Sequence, residues 1–198
     1  MKSKKKIVTL LACAVLLVVG SVMGTMAYLT SQDSVTNTFT VGNVAITMDE
    51  TNVDQDKDEK GIIPVRDKAN DYKLMPGQSY TKDPIIHVDA ESENCWLFVK
   101  VENEIAVIEG ENTVAAQMEE NGWTLVDEAK KVYAYETIVT AGTDVTVFRT
   151  FKIANTITNE QLAAYNEKTI RVTAYAVQAE GFVSYDAAWA SAKTELGF

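Results

Sequence analysis

The chain has 198 residues and a formal net charge of −10, with 28 acidic against 18 basic side chains. That length allows one sizeable core and leaves too little for two ordinary domains. The acidic balance excludes charge-driven binding to nucleic acid or to an anionic membrane, and two cysteines exclude a disulfide-dense scaffold.

The N-terminus carries Lys2, Lys4, Lys5 and Lys6, then an apolar run from Ile7 to about Val22, then Met23-Gly24-Thr25-Met26-Ala27. A cationic start, an apolar stretch and small residues at Thr25 and Ala27 make an export signal cut between Ala27 and Tyr28. Counted through Met26 the apolar stretch is about 20 residues, long enough to span a bilayer if left uncut. Leu10-Leu11-Ala12-Cys13 has the look of a lipobox, but only six apolar residues precede the cysteine and the run continues past it. Cleavage after Ala27 is the expectation. It leaves 28–198 as one secreted domain of 171 residues, with 14 basic and 28 acidic side chains and Cys95 as its only cysteine. No intramolecular disulfide can form in that domain, and Cys95, in the apolar run Cys95–Val99, reads as a small buried hydrophobe.

From there the pattern is mainly that of strands. Thr36–Val41 and Val44–Met48 alternate with period two around the turn pair Gly42-Asn43. Asp49–Lys60 is almost wholly polar and reads as a long exposed loop. Trp96–Val101 is a strongly apolar strand. Trp123–Val126 and Val132–Tyr135 flank the polar turn Asp127–Lys131 as a hairpin, and Thr143–Ile153 reads as one long β-rich run. In Lys168–Gln178, Ile170, Val172, Ala174 and Ala176 face one way and Arg171, Thr173 and Tyr175 the other. Short helices are expected at Glu111–Glu120, ending at Asn121-Gly122, at Asn159–Asn166, and at Ser184–Leu196 with Ser184 as cap. The sum is an all-β class, about seven or eight strands in a jelly-roll-like β-sandwich with a few short helices as covers.

Catalytic chemistry finds no foothold. The chain has one histidine, His87, and lacks His-Glu-x-x-His, Gly-x-Ser-x-Gly, a phosphate loop and a dinucleotide fingerprint. Asp54, Asp56 and Asp58 alternate as the start of a calcium cage does, because alternation lets a tight loop turn several oxygens inward. The full loop is absent: Glu59 stands where the sharp turn needs glycine and Val65 where a bidentate Glu belongs. Asp89, Glu91 and Glu93 alternate too, which is equally the pattern of a solvent-facing edge. The expectation is a non-enzyme without cofactor, with calcium at Asp54, Asp56 and Asp58 as the one candidate ion.

The stretch from Ala27 through Tyr28, Leu29, Val35 and Phe39-x-x-Gly42-x-Val44 resembles secreted proteins of the TasA and camelysin type from Gram-positive bacteria, whose signals are cut by a SipW-type peptidase. Lys82-Asp83-Pro84-Ile85-Ile86, Cys95–Val101 and Ala174–Glu180 are similar to that family's internal strands. The resemblance implies a jelly-roll sandwich that builds extracellular biofilm matrix fibres at the cell surface. Its partners would be copies of itself or related matrix subunits, a signal peptidase during export, and no nucleic acid; the membrane would be met only through an uncleaved signal. It also implies that residues 28–43 leave their own subunit as a donor strand and pair with the next one. Leu29, Val35, Phe39 and Val41 on a Ser/Thr/Asn background suit that role, as apolar anchors without edge-protecting charge. Head-to-tail donation does not close, so it generates filaments. Two other readings accompany the resemblance: a monomeric cell-surface binding module, and a camelysin-like surface metallopeptidase, for which no zinc site can be assembled from these residues.

Overall fold

The computed structural model describes residues 43–55, 61 and 63–198. Ten strands fall in this region, all of their pairings antiparallel, together with three short α-helices. β1 (Ile46–Thr51), β2 (Arg66–Asp67), β4 (Ile85–Val88) and β8 (Asp144–Thr146) form one sheet in the order β2-β1-β4-β8. β5 (Cys95–Asn103), β6 (Trp123–Asp127), β7 (Val132–Tyr135) and β10 (Ile170–Gln178) form a second, in the order β10-β5-β7-β6. β3 (Ser79–Thr81) and β9 (Thr150–Lys152) make a separate two-stranded ribbon. The all-β expectation is met.

β5 explains how the sheets are held. Its odd residues, Cys95, Leu97, Val99 and Val101, enter a large core shared with Ile86 and Val88 of β4 and Val145 of β8. Its even residues Trp96 and Phe98 face the other way, into a smaller cluster with Val132, Ala134, Ala188 and Trp189. A strand covered on both faces needs a continuous apolar run, which is why Cys95–Val99 does not alternate. Trp123 of β6, only 1% exposed, joins the two sheets by donating its indole N–H to the Thr146 carbonyl at 3.0 Å.

The helices start where short side chains can cap them. α1 (Val114–Glu120) begins after Thr113, whose hydroxyl accepts the Ala116 N–H, and it ends at Asn121, ahead of Gly122 in the left-handed region at φ +85°. α2 (Asn159–Leu162) follows Thr158 in a reciprocal capping box with Gln161 and runs on into a 3-10 turn at Ala163–Tyr165. α3 (Tyr185–Ala192) starts at Ser184, as read from the sequence, and lays Ala188 and Trp189 over the outer face of the second sheet. Phe198 closes that cover, its ring 5.0 Å from both Tyr175 and Trp189.

Two expectations need correction. Thr143–Ile153 is not one strand: it breaks into β8 and β9, which belong to different sheets. The break falls at Val147-Phe148-Arg149, where Val147 and Phe148 are both fully buried and so cannot lie on opposite faces of a half-exposed strand. Asp49–Lys60 is not wholly an exposed loop, because Asp49, Glu50 and Thr51 complete β1 and Glu50 is only 4% exposed. Partners far along the chain neutralise those residues, and period-two reasoning cannot see them. The strand expected at Thr36–Val41 lies outside the described residues.

Candidate functional site

β10 and β1 border a cleft. Ile170, Val172, Ala174 and Ala176 of β10 and Ile46 and Met48 of β1 point into the shared core but stay only partly covered, whereas the core-facing residues of β5 beside them are buried. The β1 and β10 backbones approach within 8 Å of one another. Next to that seam opens a cleft of about 1010 Å³, lined on its apolar side by Met48, Tyr72, Ile105, Phe151, Leu162 and Val172. An aromatic group fixes one wall: Phe151 stacks on Tyr80 at 5.0 Å, and Tyr72 meets both rings edge-on. Burial raises the Tyr72 phenol well above its usual range, with the charges of Glu50, Asp83 and Asp54 adding to the effect.

The edges of the second sheet differ. β6 carries a register shift between Leu125 and Asp127, a device that twists an edge away from further pairing. β10 has none. All nine of its residues pair in unbroken antiparallel register with β5, from Ile170 opposite Asn103 to Gln178 opposite Cys95. At its two ends the Glu104 N–H donates to the Thr169 carbonyl, and the Ala179 N–H to the Asn94 carbonyl. Residues opposite each other alternate between bonded and non-bonded pairs, so odd-numbered residues of β10 bond to β5. The backbone groups of Ile170, Val172, Ala174, Ala176 and Gln178 therefore point outward, and among the described residues β5 is β10's only strand partner. β10 contains no proline and a single charge, Arg171. In the first sheet, the outermost strands β2 and β8 have two and three residues. β10 is the one long unguarded edge among the described strands.

On the far side of β1 lies a polar cluster that the spacing of the sequence did not disclose. Asp49 pairs with Arg66, and Arg66 reaches Asp83 at 3.3 Å. Asp83, in turn, accepts the Thr51 N–H at 2.7 Å and the Thr51 hydroxyl at 2.9 Å, clamping the end of β1. His87 on β4 bridges β8 and β1, with Nδ1 2.7 Å from Asp144 and Nε2 3.2 Å from Asp49. Burial pulls the His87 pKa down, but hydrogen bonds and charge from Asp144 and Asp49 outweigh it, and the net shift is upward. The Asp49 carboxyl is held below its usual range, Arg66 and His87 outweighing the opposing effect of burial.

A pH dependence follows. A raised histidine pKa contributes stability that is complete below its unfolded value of 6.5 and lost as pH rises through the folded value. Asp49 contributes above its unfolded value of 3.8 and fails only as pH falls through its lowered folded value. Urea midpoints should therefore fall as pH rises above about 6.5. His87→Gln should remove that slope, and a slope unchanged in the variant would assign it to another group.

The remaining candidate residues are placed as follows. Asp54 accepts the Asp71 N–H at 2.7 Å, while Asp56 and Asp58 lie outside the described residues. Among the described residues no three His, Cys, Asp or Glu side chains are grouped to hold a metal ion. Asp89, Glu91 and Glu93 are exposed on a turn in which Asp89 accepts the Glu91 N–H. Glu104 ties the chain at Lys168 and Thr169, and those hydrogen bonds hold its carboxyl down to about 2. Cys95 is fully buried, and burial pushes its thiol up to about 11, which leaves no thiolate for chemistry. Ala27, Tyr28, Leu29, Val35, Phe39 and Val41 lie outside the described residues.

No protein-family model matches this chain, and it matches no curated protein and no solved structure.

Proposed function

We propose that the protein is a secreted structural subunit of an extracellular, biofilm-type matrix fibre, built on a jelly-roll-like sandwich and assembling by strand donation. The donor is the segment 28–43, freed by cleavage between Ala27 and Tyr28. The acceptor is the outer edge of β10 in the next subunit. The observation that carries this reading is the nine-residue edge of β10, regular, unguarded and flanked by partly covered apolar side chains.

The chemistry of donor and acceptor agrees. An added strand supplies N–H and C=O groups to an edge that exposes its own, and alternate side chains fill the adjoining groove. Leu29, Val35, Phe39 and Val41 would set apolar side chains beside Ile170, Val172, Ala174 and Ala176, which the core covers only in part. The donor segment holds a single charge, Asp33, so like-charge repulsion between acidic subunits is small at this contact. A subunit whose acceptor edge and donor segment are different surfaces adds head to tail without closure.

Two purified forms test the reading, one starting at Tyr28 and one at Val44, compared by size-exclusion chromatography and negative-stain microscopy. Filaments or large oligomers from the longer form alone are expected. Two equally folded monomers would overturn assembly through this segment and favour a surface-binding module instead.

A further inference from the structure

Glu50, Asn70 and Lys82 come from three separate stretches and meet at the polar wall of the cleft. Glu50 is the penultimate residue of β1, Asn70 lies three residues beyond β2, and Lys82 directly follows β3. Lys82 Nζ donates to Glu50 Oε2 at 2.7 Å, and Asn70 Nδ2 donates to Glu50 Oε1 at 2.9 Å. One carboxylate thus holds an amine on one oxygen and a carboxamide on the other. It does so with Glu50 only 4% exposed and the Lys82 side chain 12% exposed.

The carboxamide is held on every side. Its Oδ1 accepts the Val53 N–H at 2.7 Å, and its Nδ2 also donates to the Thr51 carbonyl at 3.0 Å. The amide cannot turn without giving up three hydrogen bonds, and an N–H donor already sits where negative charge would develop on Oδ1 during attack at Cγ. A well-packed apolar pair would commonly serve stability as well as a buried ion pair. Amine, carboxamide, proton carrier and oxyanion donor together are the parts of an amide transfer.

We propose that Lys82 and Asn70 become joined by an intramolecular isopeptide bond, with Glu50 as the proton carrier. Glu50 first takes a proton from the Lys82 ammonium along their existing hydrogen bond. The free amine attacks Asn70 Cγ, and the carbonyl electron pair moves to Oδ1 against the Val53 N–H. By way of Glu50 the attacking nitrogen then loses a proton and Nδ2 gains one. The carbonyl re-forms, the Cγ–Nδ2 bond breaks and the new Cγ–Nζ bond remains as an amide. The departing nitrogen leaves as ammonium with the proton first taken up, and Glu50 ends as a carboxylate. Nothing is oxidised or reduced and no co-reactant is consumed. The product ties the loop after β2 to the residue that directly follows β3 by a covalent bond; Cys95, the only cysteine among the described residues, is buried and unpaired.

Intact-mass spectrometry of the purified secreted protein decides the matter. The expected mass is lower than that of the sequence by one ammonia. Tryptic digestion should fail after Lys82 and yield one branched peptide containing both Lys82 and Asn70. Glu50→Gln should restore the full mass and two separate peptides. Should that variant not fold, the mass and branched peptide of the native protein still decide. A native protein of full mass, cut normally after Lys82, overturns the proposal and leaves an ordinary ion pair. Loss of ammonia without a branched peptide overturns it too, since a succinimide at Asn70-Asp71 gives the same mass.

Discussion

Gln117→Leu lowers the unfolding free energy by about 3–4 kcal/mol, because several part-buried backbone groups lose their partner at once and each costs about 1–3 kcal/mol when left unmade. Gln117 is 6% exposed on α1 and works as a substitute for strand pairing. Its Oε1 accepts the N–H groups of Arg149 and Thr150, both at 3.1 Å. Its Nε2 donates to the carbonyls of Thr150 at 2.7 Å and Asn112 at 3.0 Å. Leucine fills the same volume and satisfies none of these. Urea denaturation should show a lower midpoint with an unchanged slope. Glu119→Leu, at an exposed position on the same helix, should stay within about 0.5 kcal/mol of the native protein. A loss below about 1 kcal/mol for Gln117→Leu would show that water replaces the side chain and that its bonds are not what anchors the break between β8 and β9.

The second large effect falls on assembly rather than stability. Ala174→Pro removes an N–H that points away from β5 and puts a ring on the open edge of β10, so it should leave a folded monomer that no longer forms filaments. Proline is tolerated on a strand edge whose N–H faces outward, and it blocks a strand that tries to pair there. Thr173→Pro is the contrast. Its N–H faces Lys100 in a bonded pair of the β10–β5 ladder, so that substitution should damage the fold itself. With Ala174→Pro the concentration needed for filaments should rise at least about tenfold, equivalent to about 1.4 kcal/mol per contact. Filaments formed by Ala174→Pro at the native concentration would place the donor on another surface.

How much of this was legible in the sequence differs from element to element. β5, the β6–β7 hairpin and β10 read correctly because their apolar residues answer to local rules: continuous where both faces are covered, alternating where one is. Ser184 marked the start of α3 for the same reason, since a cap acts on N–H groups two or three residues away. The edge character of β10 was not legible. Alternation shows which face is buried and says nothing about whether a strand has one neighbour or two.

The polar cluster and the cleft wall were misread for a related reason. Asp49 and Glu50 look like the opening of a solvated acidic loop because their partners are distant: Lys82 lies 32 positions from Glu50, and His87 lies 38 from Asp49. Acidic residues next to one another in sequence repel, whereas acidic residues brought against Arg66, Lys82 and His87 become part of a sheet. The long β-run at Thr143–Ile153 failed likewise, since the partner at its break, Gln117, sits on a helix 32 positions before Arg149.

By itself the sequence determined the all-β class, the strands with strong local patterning, the Ser184 cap of α3 and the buried, unreactive state of Cys95, because each depends on burial or on bonds within a few residues. Only the tertiary structure decided which strand edge stays open, which acids are neutralised, and that an amine and a carboxamide share one carboxylate. Those outcomes depend on groups that meet across tens of residues, and only the packing of the two sheets around one core brings them together.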